Sequence, residues 1–192
     1  MDRRKNMLIG LVVGIAIVAA SVYATGFSKR LLTPFFGSST AYQTSESATA
    51  PALAGGNWIN SEPLELKNLR GRVVLIEFWT FGCINCRNTL PFIKGWHDRY
   101  REKGLTVIGV HSPEFDEERN VEHLRREIGS LGISYPVVTD NDYQTWNAYN
   151  VEAWPTSFLL DKQGRIRWRH VGEGGYDEAE RLIQQLLAEK ET

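Results

Sequence analysis

The sequence predicts an α/β fold with a mainly parallel central sheet that is covered by helices on both faces. Two alternating patterns predict it: short runs rich in β-branched residues, and segments whose apolar residues recur at about one helical turn. The predicted strands are 73–78, 105–110, 135–139, 157–160 and 166–171. The predicted helices follow residue 86 and then cover about 121–131 and 179–187.

Local signals mark where individual elements begin and end. Asp177 and Glu180, three residues apart and preceded by two glycines, predict the start of the last helix. Pro91 lies inside the first predicted helix, where it removes one backbone hydrogen bond and bends the axis. The Asp-Lys-Gln-Gly sequence at 161–164 is a turn signal between two apolar runs. It predicts a hairpin, and hence an antiparallel edge on a partly parallel sheet.

An uncharged apolar stretch at 7–27 lies between basic residues at 3–5 and 29–30. As a helix, its ~21 residues would extend roughly 31 Å, about the thickness of the hydrocarbon core of a bilayer. We therefore predict one N-terminal transmembrane helix that anchors the chain. A cleaved secretory signal is the alternative, because 22–24 passes as a small-residue cleavage site. Both interpretations export the rest of the chain to the extracytoplasmic, periplasmic side.

The predicted organisation has four parts: a short basic N-terminus (1–6), the anchor (7–27), a flexible linker (28–56) and one folded domain (57–192). The linker is predicted because its second half is mostly Ser, Thr, Ala and Gly without apolar periodicity. The last part has about 136 residues, enough for a single core. With a net charge of −1, nothing in the composition suggests nucleic-acid binding.

Cys83 and Cys86, the only two cysteines of the chain, follow directly after the first predicted strand and Gly82. A strand that ends in a tight turn, with Cys-x-x-Cys opening the next helix, places one sulfur at a helix N-terminus. The partial positive charge there favours a thiolate. The pattern therefore predicts a dithiol that exchanges with other disulfides.

A Cys-x-x-Cys pair has three other common uses. A structural zinc site needs four ligands, and the four histidines are scattered singly along the chain. Covalent haem attachment needs a histidine after the second cysteine, where Arg87 stands instead. A purely structural disulfide stays open, although closing so short a loop removes little chain entropy. We predict no metal and no cofactor beyond the Cys83–Cys86 disulfide itself.

Further motifs surround the pair in a fixed order. They are Phe-Trp-Thr-x-x-Cys-Ile-Asn-Cys, Leu-Pro-x-x-x-x-Trp, Val-Ile-Gly-Val-His-Ser-Pro-Glu-Phe, Tyr-Pro-Val-x-x-Asp-Asn, Trp-Pro and Gly-Glu-Gly. With them, residues 57–187 resemble the thioredoxin fold, within it the membrane-anchored TlpA/ResA-like group, and most closely the thioredoxin-like domain of DipZ-type proteins. The resemblance implies a central mixed sheet flanked by helices, with a TlpA-type insertion of a strand and a helix at 112–149. Gly82 and the dipeptide 84–85 depart from the residues of thioredoxin itself.

Four residues are predicted to carry the chemistry. Cys83, nearer the helix start, is the exposed nucleophile, and Cys86, one turn further and more shielded, resolves the mixed disulfide. Glu77 stands where thioredoxins carry a buried acid and is expected to exchange protons with Cys86; a side chain that points to solvent is the alternative. Pro155 matches the cis-proline that faces the cysteines in this fold.

The substrate groove is predicted beside this proline. The backbone of Trp154 is expected to pair with an extended substrate segment as a short added strand, and Thr156 is placed in the same groove. Trp154 packed in the core is the alternative. Trp79 and Phe81 are expected to flank the site, to cover the sulfurs and to contact substrate. The acidic residues at 114–118 are interpreted as a solvated helix start.

The resemblance implies a membrane-anchored thiol-disulfide oxidoreductase that reduces protein disulfides, with cytochrome c maturation or thiol repair as its task. Its electrons would come from a membrane transporter of the CcdA/DsbD type. A peroxide reductase of the peroxiredoxin group is one alternative, because Thr80 stands three residues before Cys83, although Ile76 replaces the proline of that motif. A non-catalytic binding module with an inert disulfide is the other.

Overall fold

A six-stranded sheet crosses the part of the chain that the computed structural model describes, residues 48–190. Its strands are β1 (Trp58–Ile59), β2 (Val73–Trp79), β3 (Leu105–His111), β4 (Val137–Thr139), β5 (Thr156–Leu160) and β6 (Ile166–Val171). Their order across the sheet is β1-β4-β3-β2-β5-β6. The β2–β3 and β3–β4 pairs are parallel, whereas β1–β4, β2–β5 and β5–β6 are antiparallel. The mixed sheet that the resemblance implies is therefore confirmed, whereas the expectation of a mainly parallel sheet is wrong because both edges are antiparallel.

Four helices pack on this sheet: α1 (Ile84–Tyr100), α2 (Val121–Ser130), α3 (Gln144–Ala148) and α4 (Tyr176–Ala188). The helix α1 continues through Pro91. Between β3 and β5 the chain forms a 3₁₀ turn (Asp116–Arg119), α2, β4 and α3. A helix and a strand, α2 and β4, are thus present in the segment where the TlpA-type insertion is expected.

Alternation along the strands divides the interior into two cores, one on each face of the sheet. In β2, every second side chain from Val73 to Trp79 faces α1, α2 and α4. The side chains between them, Val74, Ile76 and Phe78, face the second core, which includes Tyr149 and Val151 just after α3. All seven residues of β2 are buried, as expected for a central strand covered on both faces.

The predicted hairpin is confirmed between β5 and β6. Asp161 closes its turn, because the carboxylate oxygen Oδ1 accepts hydrogen bonds from the backbone N–H groups of Gln163 (3.0 Å) and Arg165 (2.9 Å). Gly164 has φ +72°, a conformation that glycine adopts without strain. The hairpin makes β6 an edge strand of the sheet, paired antiparallel with β5.

Residues 48–56, assigned above to the flexible linker, pack against the domain instead. The Ala50 N–H donates to the Gly164 carbonyl oxygen at 3.0 Å, and the Ala54 N–H donates to Thr145 Oγ1 at 3.0 Å. A Cβ on Gly56 would lie 2.0 Å from the Thr139 carbonyl oxygen. The small residues allow this close backbone approach, and composition alone does not distinguish a close-packed segment from a flexible one.

The predicted transmembrane helix, 7–27, lies outside the described residues. Among the helices within 48–190, none combines the length and apolarity that a membrane span requires.

Candidate active site

The turn between β2 and α1 presents the two cysteines. Cys83 is the N-cap of α1 and has extended backbone (φ −76°, ψ 120°), so its side chain leaves the chain just before the helix begins. The Cys83 side chain is half-buried, whereas Cys86, one turn into α1, is fully buried. Neither sulfur is bridged. The geometry therefore gives one thiol that a client can reach and one that it cannot.

The buried sulfur is difficult to ionise. Burial raises the pKa of the Cys86 thiol far above its usual range, and the nearby Glu77 charge raises it further, while a backbone hydrogen bond with Thr80 opposes the shift. The reaction nevertheless needs Cys86 as a thiolate, because the thiolate is the attacking species. A base close to this thiol is therefore required.

Glu77 is the base that the structure offers. Its side chain is fully buried on the face of β2 that packs against α1, opposite Gly109 on one side and Ser157 on the other. Burial raises the pKa of this carboxyl to about 8, against a smaller lowering by the Tyr135 hydroxyl. The alternative of a solvent-facing side chain is excluded. A carboxyl with a pKa near neutral can both accept and return a proton at working pH.

The cis-proline loop lies at the same end of the sheet. The Trp154–Pro155 peptide bond is cis, as the resemblance implies. Because β5 pairs antiparallel to β2 with Thr156 opposite Phe78, Pro155 lies across from the end of β2 that leads to Cys83. Within residues 48–190, neither the backbone N–H nor the carbonyl oxygen of Trp154 makes a hydrogen bond.

The Trp154 side chain is half-buried and fixed in place. Its indole Nε1–H donates to the Ser112 carbonyl oxygen at 2.9 Å, and its ring lies 4.4 Å from that of Trp146. It packs against the same core as Cys83. Its position is therefore compatible with both sequence-based interpretations, a wall of the groove and a partner of the core.

Three residues predicted to contact substrate are buried. Trp79 is fully inaccessible and Phe81 nearly so; both rings pack against His111, with ring centroids 5.4 and 5.5 Å away. Thr156 is also buried, and its hydroxyl donates to the Ala153 carbonyl oxygen at 2.6 Å. Direct contact of these side chains with substrate is therefore a wrong prediction: they support the site from below, because β2 and β5 are covered on both faces.

Glu118 was missed as a site residue. It belongs to the acidic segment interpreted as solvated, yet it is buried. Its Oε1 accepts a hydrogen bond from the Gly82 N–H at 3.0 Å, and its Oε2 accepts from the N–H groups of Glu114 and Phe115. Glu118 thereby ties the loop after β3 to the residue before Cys83. No local sequence pattern distinguishes it from its exposed neighbours.

His111 was also missed, at the end of β3. Burial lowers its pKa to about 4, so the imidazole is neutral at physiological pH, and its Nε2 lies 3.3 Å from Thr80 Oγ1. The only sequence signal was the motif that contains it. Within residues 48–190, no group of three or more His, Cys, Asp or Glu side chains is arranged to hold a metal ion.

Comparison with known proteins agrees with this geometry. The sequence model described as the AhpC/TSA family matches residues 47–169. Protein DipZ of Mycobacterium tuberculosis is 44% identical over 151 residues, which are 77% of this chain and 22% of that protein. The chain thus spans only about a fifth of the length of this relative.

Two further matches extend over nearly the whole of the similar protein. The thiol-disulfide oxidoreductase ResA of Bacillus anthracis is 26% identical over 183 residues, covering 95% of this chain and 98% of that protein. The crystal structure of a thiol-disulfide isomerase from Corynebacterium glutamicum has a TM-score of 0.66 and 32% identity, covering 73% of this chain and 98% of that one. Both of these proteins are named for thiol-disulfide chemistry.

Proposed function

Because the chain belongs to the AhpC/TSA family, and within it to the thioredoxin-like TlpA/ResA group of thiol-disulfide oxidoreductases, we propose that it reduces disulfide bonds in client proteins outside the cytoplasm. One observation carries this proposal: a half-buried thiol at the start of a helix stands one turn from a buried thiol, next to a buried carboxyl. An accessible nucleophile, a shielded resolving thiol and a base are the parts that the exchange needs.

The reaction proceeds in two exchanges. The Cys83 thiolate attacks one sulfur of the client disulfide, which forms a Cys83–client bond and releases a client thiolate that takes up a proton. Glu77 then accepts the proton of Cys86, and the Cys86 thiolate attacks the Cys83 sulfur. This step forms the Cys83–Cys86 disulfide and releases the second client sulfur as a thiolate, which takes up a proton while Glu77 gives up the one it accepted. The client gains two electrons and two protons, and a separate dithiol must reduce the enzyme again.

The cis-proline loop is the proposed binding site for the client. The free backbone N–H and carbonyl oxygen of Trp154 provide one donor and one acceptor for an extended segment. Pro155 has no N–H, so the segment would be held mainly at Trp154. Such binding depends on the backbone of the client, and the enzyme would tolerate many client sequences.

Membrane attachment and electron supply complete the proposal. The apolar stretch 7–27 would anchor the chain, and extracytoplasmic compartments are oxidising, so a reductant there needs recharging across the membrane. A transporter of the CcdA/DsbD type would supply the electrons, and apocytochrome c, whose haem-binding cysteines must be reduced, is the proposed client. Deletion of 7–27 should move the protein from the membrane fraction to the soluble fraction.

Single-residue variants of the full chain test the reaction. Cys83→Ser should abolish reduction of a disulfide-linked client peptide by the reduced protein, and Cys86→Ser should accumulate the Cys83–client mixed disulfide, visible by non-reducing electrophoresis. Asn88→Ser, an exposed change on the next turn of α1, is the control and should retain activity. Full activity of Cys83→Ser would contradict the proposal and favour the non-catalytic binding module.

The same variants test the peroxide reductase. The Thr80 hydroxyl is buried and lies next to His111, so it is not a free partner for a peroxide at Cys83. We expect the reduced protein to consume hydrogen peroxide no faster than a free thiol does. Faster consumption that Cys83→Ser removes would establish the peroxide reductase instead.

A further inference from the structure

Several polar groups are buried on the α1 face of the sheet without a hydrogen bond, and three of them lie close to Gly109. These three are the Glu77 carboxyl, the Trp79 indole N–H and the Tyr135 hydroxyl, and no described residue within 48–190 partners their polar atoms. Buried polar groups in folded proteins nearly always have a partner. The Glu77 carboxylate is a hydrogen-bond acceptor when it is ionised, whereas the Trp79 indole N–H and the Tyr135 hydroxyl are donors.

The three groups converge on one glycine. Gly109 lies opposite Glu77 in the parallel β2–β3 ladder. A Cβ on Gly109 would lie 2.8 Å from Trp79 Nε1 and 3.2 Å from Tyr135 Cε2. Trp79 is two residues beyond Glu77 on β2, so both side chains are on the same face. The missing side chain of Gly109 therefore leaves room for the indole N–H and for the phenol ring, directly beside the carboxyl.

We propose that the space over Gly109 is a hydrogen-bonding site for the ionised Glu77 carboxylate, with the Trp79 indole N–H and the Tyr135 hydroxyl as its donors. In this assignment Trp79 and Tyr135 are positioning residues that act through Glu77. The proposal rests on the proposed function, because it concerns the base that deprotonates Cys86.

The two donors favour the form of Glu77 that the reaction needs. A carboxyl accepts the Cys86 proton only when it is ionised, and burial alone disfavours that form. Donors aimed at the carboxylate oppose the effect of burial. The pKa directions agree: the Tyr135 hydroxyl lowers the pKa of Glu77, and burial together with the Glu77 charge raises the pKa of Tyr135.

Few other charges face this cluster. From α1, Cys86 is the nearest titratable group, and His97 packs its ring 5.9 Å from that of Tyr135, with its pKa lowered by burial. From β3, His111 packs on Trp79 and is neutral at physiological pH. The buried side chains of α4 are apolar, its Glu180 is held by the Trp96 indole and the Tyr100 hydroxyl, and β5 contributes Ser157. The donors therefore act without a competing buried cation on these elements.

The test is the pKa of Glu77 in the reduced full-length protein, measured from the ¹³C shift of its carboxyl. Tyr135→Phe removes only the hydroxyl and should raise this pKa by about one unit, a tenfold change in the ionisation constant. Resolution of a preformed mixed disulfide should become several-fold slower near pH 7, and its pH profile should move to higher pH. Trp79→Phe removes the second donor and should move both quantities in the same direction.

Two controls separate this effect from a general change of packing. Tyr149→Phe removes a buried hydroxyl on the opposite face of the sheet and should leave the pKa of Glu77 unchanged. In a Glu77→Gln background, Tyr135→Phe should no longer change the pH profile of resolution, because there is no carboxylate to stabilise.

The outcomes are distinct. An unchanged Glu77 pKa in both Tyr135→Phe and Trp79→Phe, or an equal shift in Tyr149→Phe, would overturn the proposal. Since the NMR titration needs no turnover, it can fail while disulfide reduction persists, and reduction can fail while the titration still shows the shift. Failure of this inference is thus distinguishable from failure of the proposed function.

Discussion

The two faces of the sheet bury different kinds of residue. The face toward α1 contains Glu77, Tyr135 and Cys86, whose polar atoms are buried with few or no partners. The opposite face contains aliphatic side chains and an aromatic cluster around Phe78, and one of its buried hydroxyls, on Tyr149, donates to the Pro51 carbonyl oxygen at 2.8 Å. Both faces belong to the same strands, so alternation along β2 separates a reactive core from a stabilising one.

This difference shows how one strand can serve chemistry and stability together. A carboxyl with a raised pKa costs folding free energy whenever it is ionised, so the reactive core is a source of instability. The apolar core on the opposite face of the sheet must offset that cost in folding free energy. The contrast leads to opposite expectations for substitutions at neighbouring positions of β2.

The largest expected change is a loss of stability caused by a substitution on the apolar face of the sheet. Phe78→Ala removes a fully buried ring that contacts Trp146, Tyr149 and Phe158, and it should lower the free energy of unfolding by about 3–5 kcal/mol. The loss should be the same from pH 5 to pH 9, because no titratable group changes. Chemical denaturation at several pH values measures it. A strongly pH-dependent loss would break the contrast between the faces.

The second-largest effect is a gain in stability, from a substitution on the face toward α1. The pKa of Glu77 is raised from about 4.5 to about 8 by burial, so its contribution to stability is present below pH 4.5 and is lost as the pH rises through 8. Glu77→Gln removes this titration and should be more stable than the wild type by a few kcal/mol above pH 8, and by less toward pH 5.

An exposed carboxyl provides the control for this prediction. Glu62→Gln, on the surface, should leave the pH dependence of stability unchanged. Equal pH dependence of unfolding in wild type and Glu77→Gln would show that Glu77 is not held with a raised pKa.

The smallest effect compares two hydroxyls. Tyr149→Phe loses one hydrogen bond to Pro51 and should cost about 1 kcal/mol of stability. Tyr135→Phe loses a hydroxyl without a hydrogen bond in the described structure and should cost less at low pH, where Glu77 is protonated. Thermal unfolding of both variants at pH 5 measures this difference, and a larger loss for Tyr135→Phe would contradict it.

Much of the fold could be predicted from the sequence, because the central strands and the helices have strong periodicities. The short edge strand β1 has only two residues and leaves no periodic signal. Residues 48–56 were misassigned because small residues are common both in flexible linkers and in segments that pack closely on a sheet.

The site was predicted where the motif is local and missed where contacts are long-range. Cys83, Cys86, Glu77 and the cis peptide bond before Pro155 lie where they were expected. The hydrogen bond from Gly82 to Glu118 spans 36 residues, so no window of sequence shows it. The predicted substrate contacts are buried because helices and loops cover both faces of the sheet. That coverage depends on how distant segments of the chain pack together, so a local motif does not show it.

Alkylation kinetics of the folded, fully reduced protein test the central claim most directly. At pH 7, iodoacetamide should modify Cys83 at least about a hundredfold faster than Cys86. Mass spectrometry identifies which cysteine has been modified. Cys86 should react only after denaturation. Two inert thiols in the folded protein, or faster modification of Cys86 than of Cys83, would contradict the assignment of Cys83 as the nucleophile.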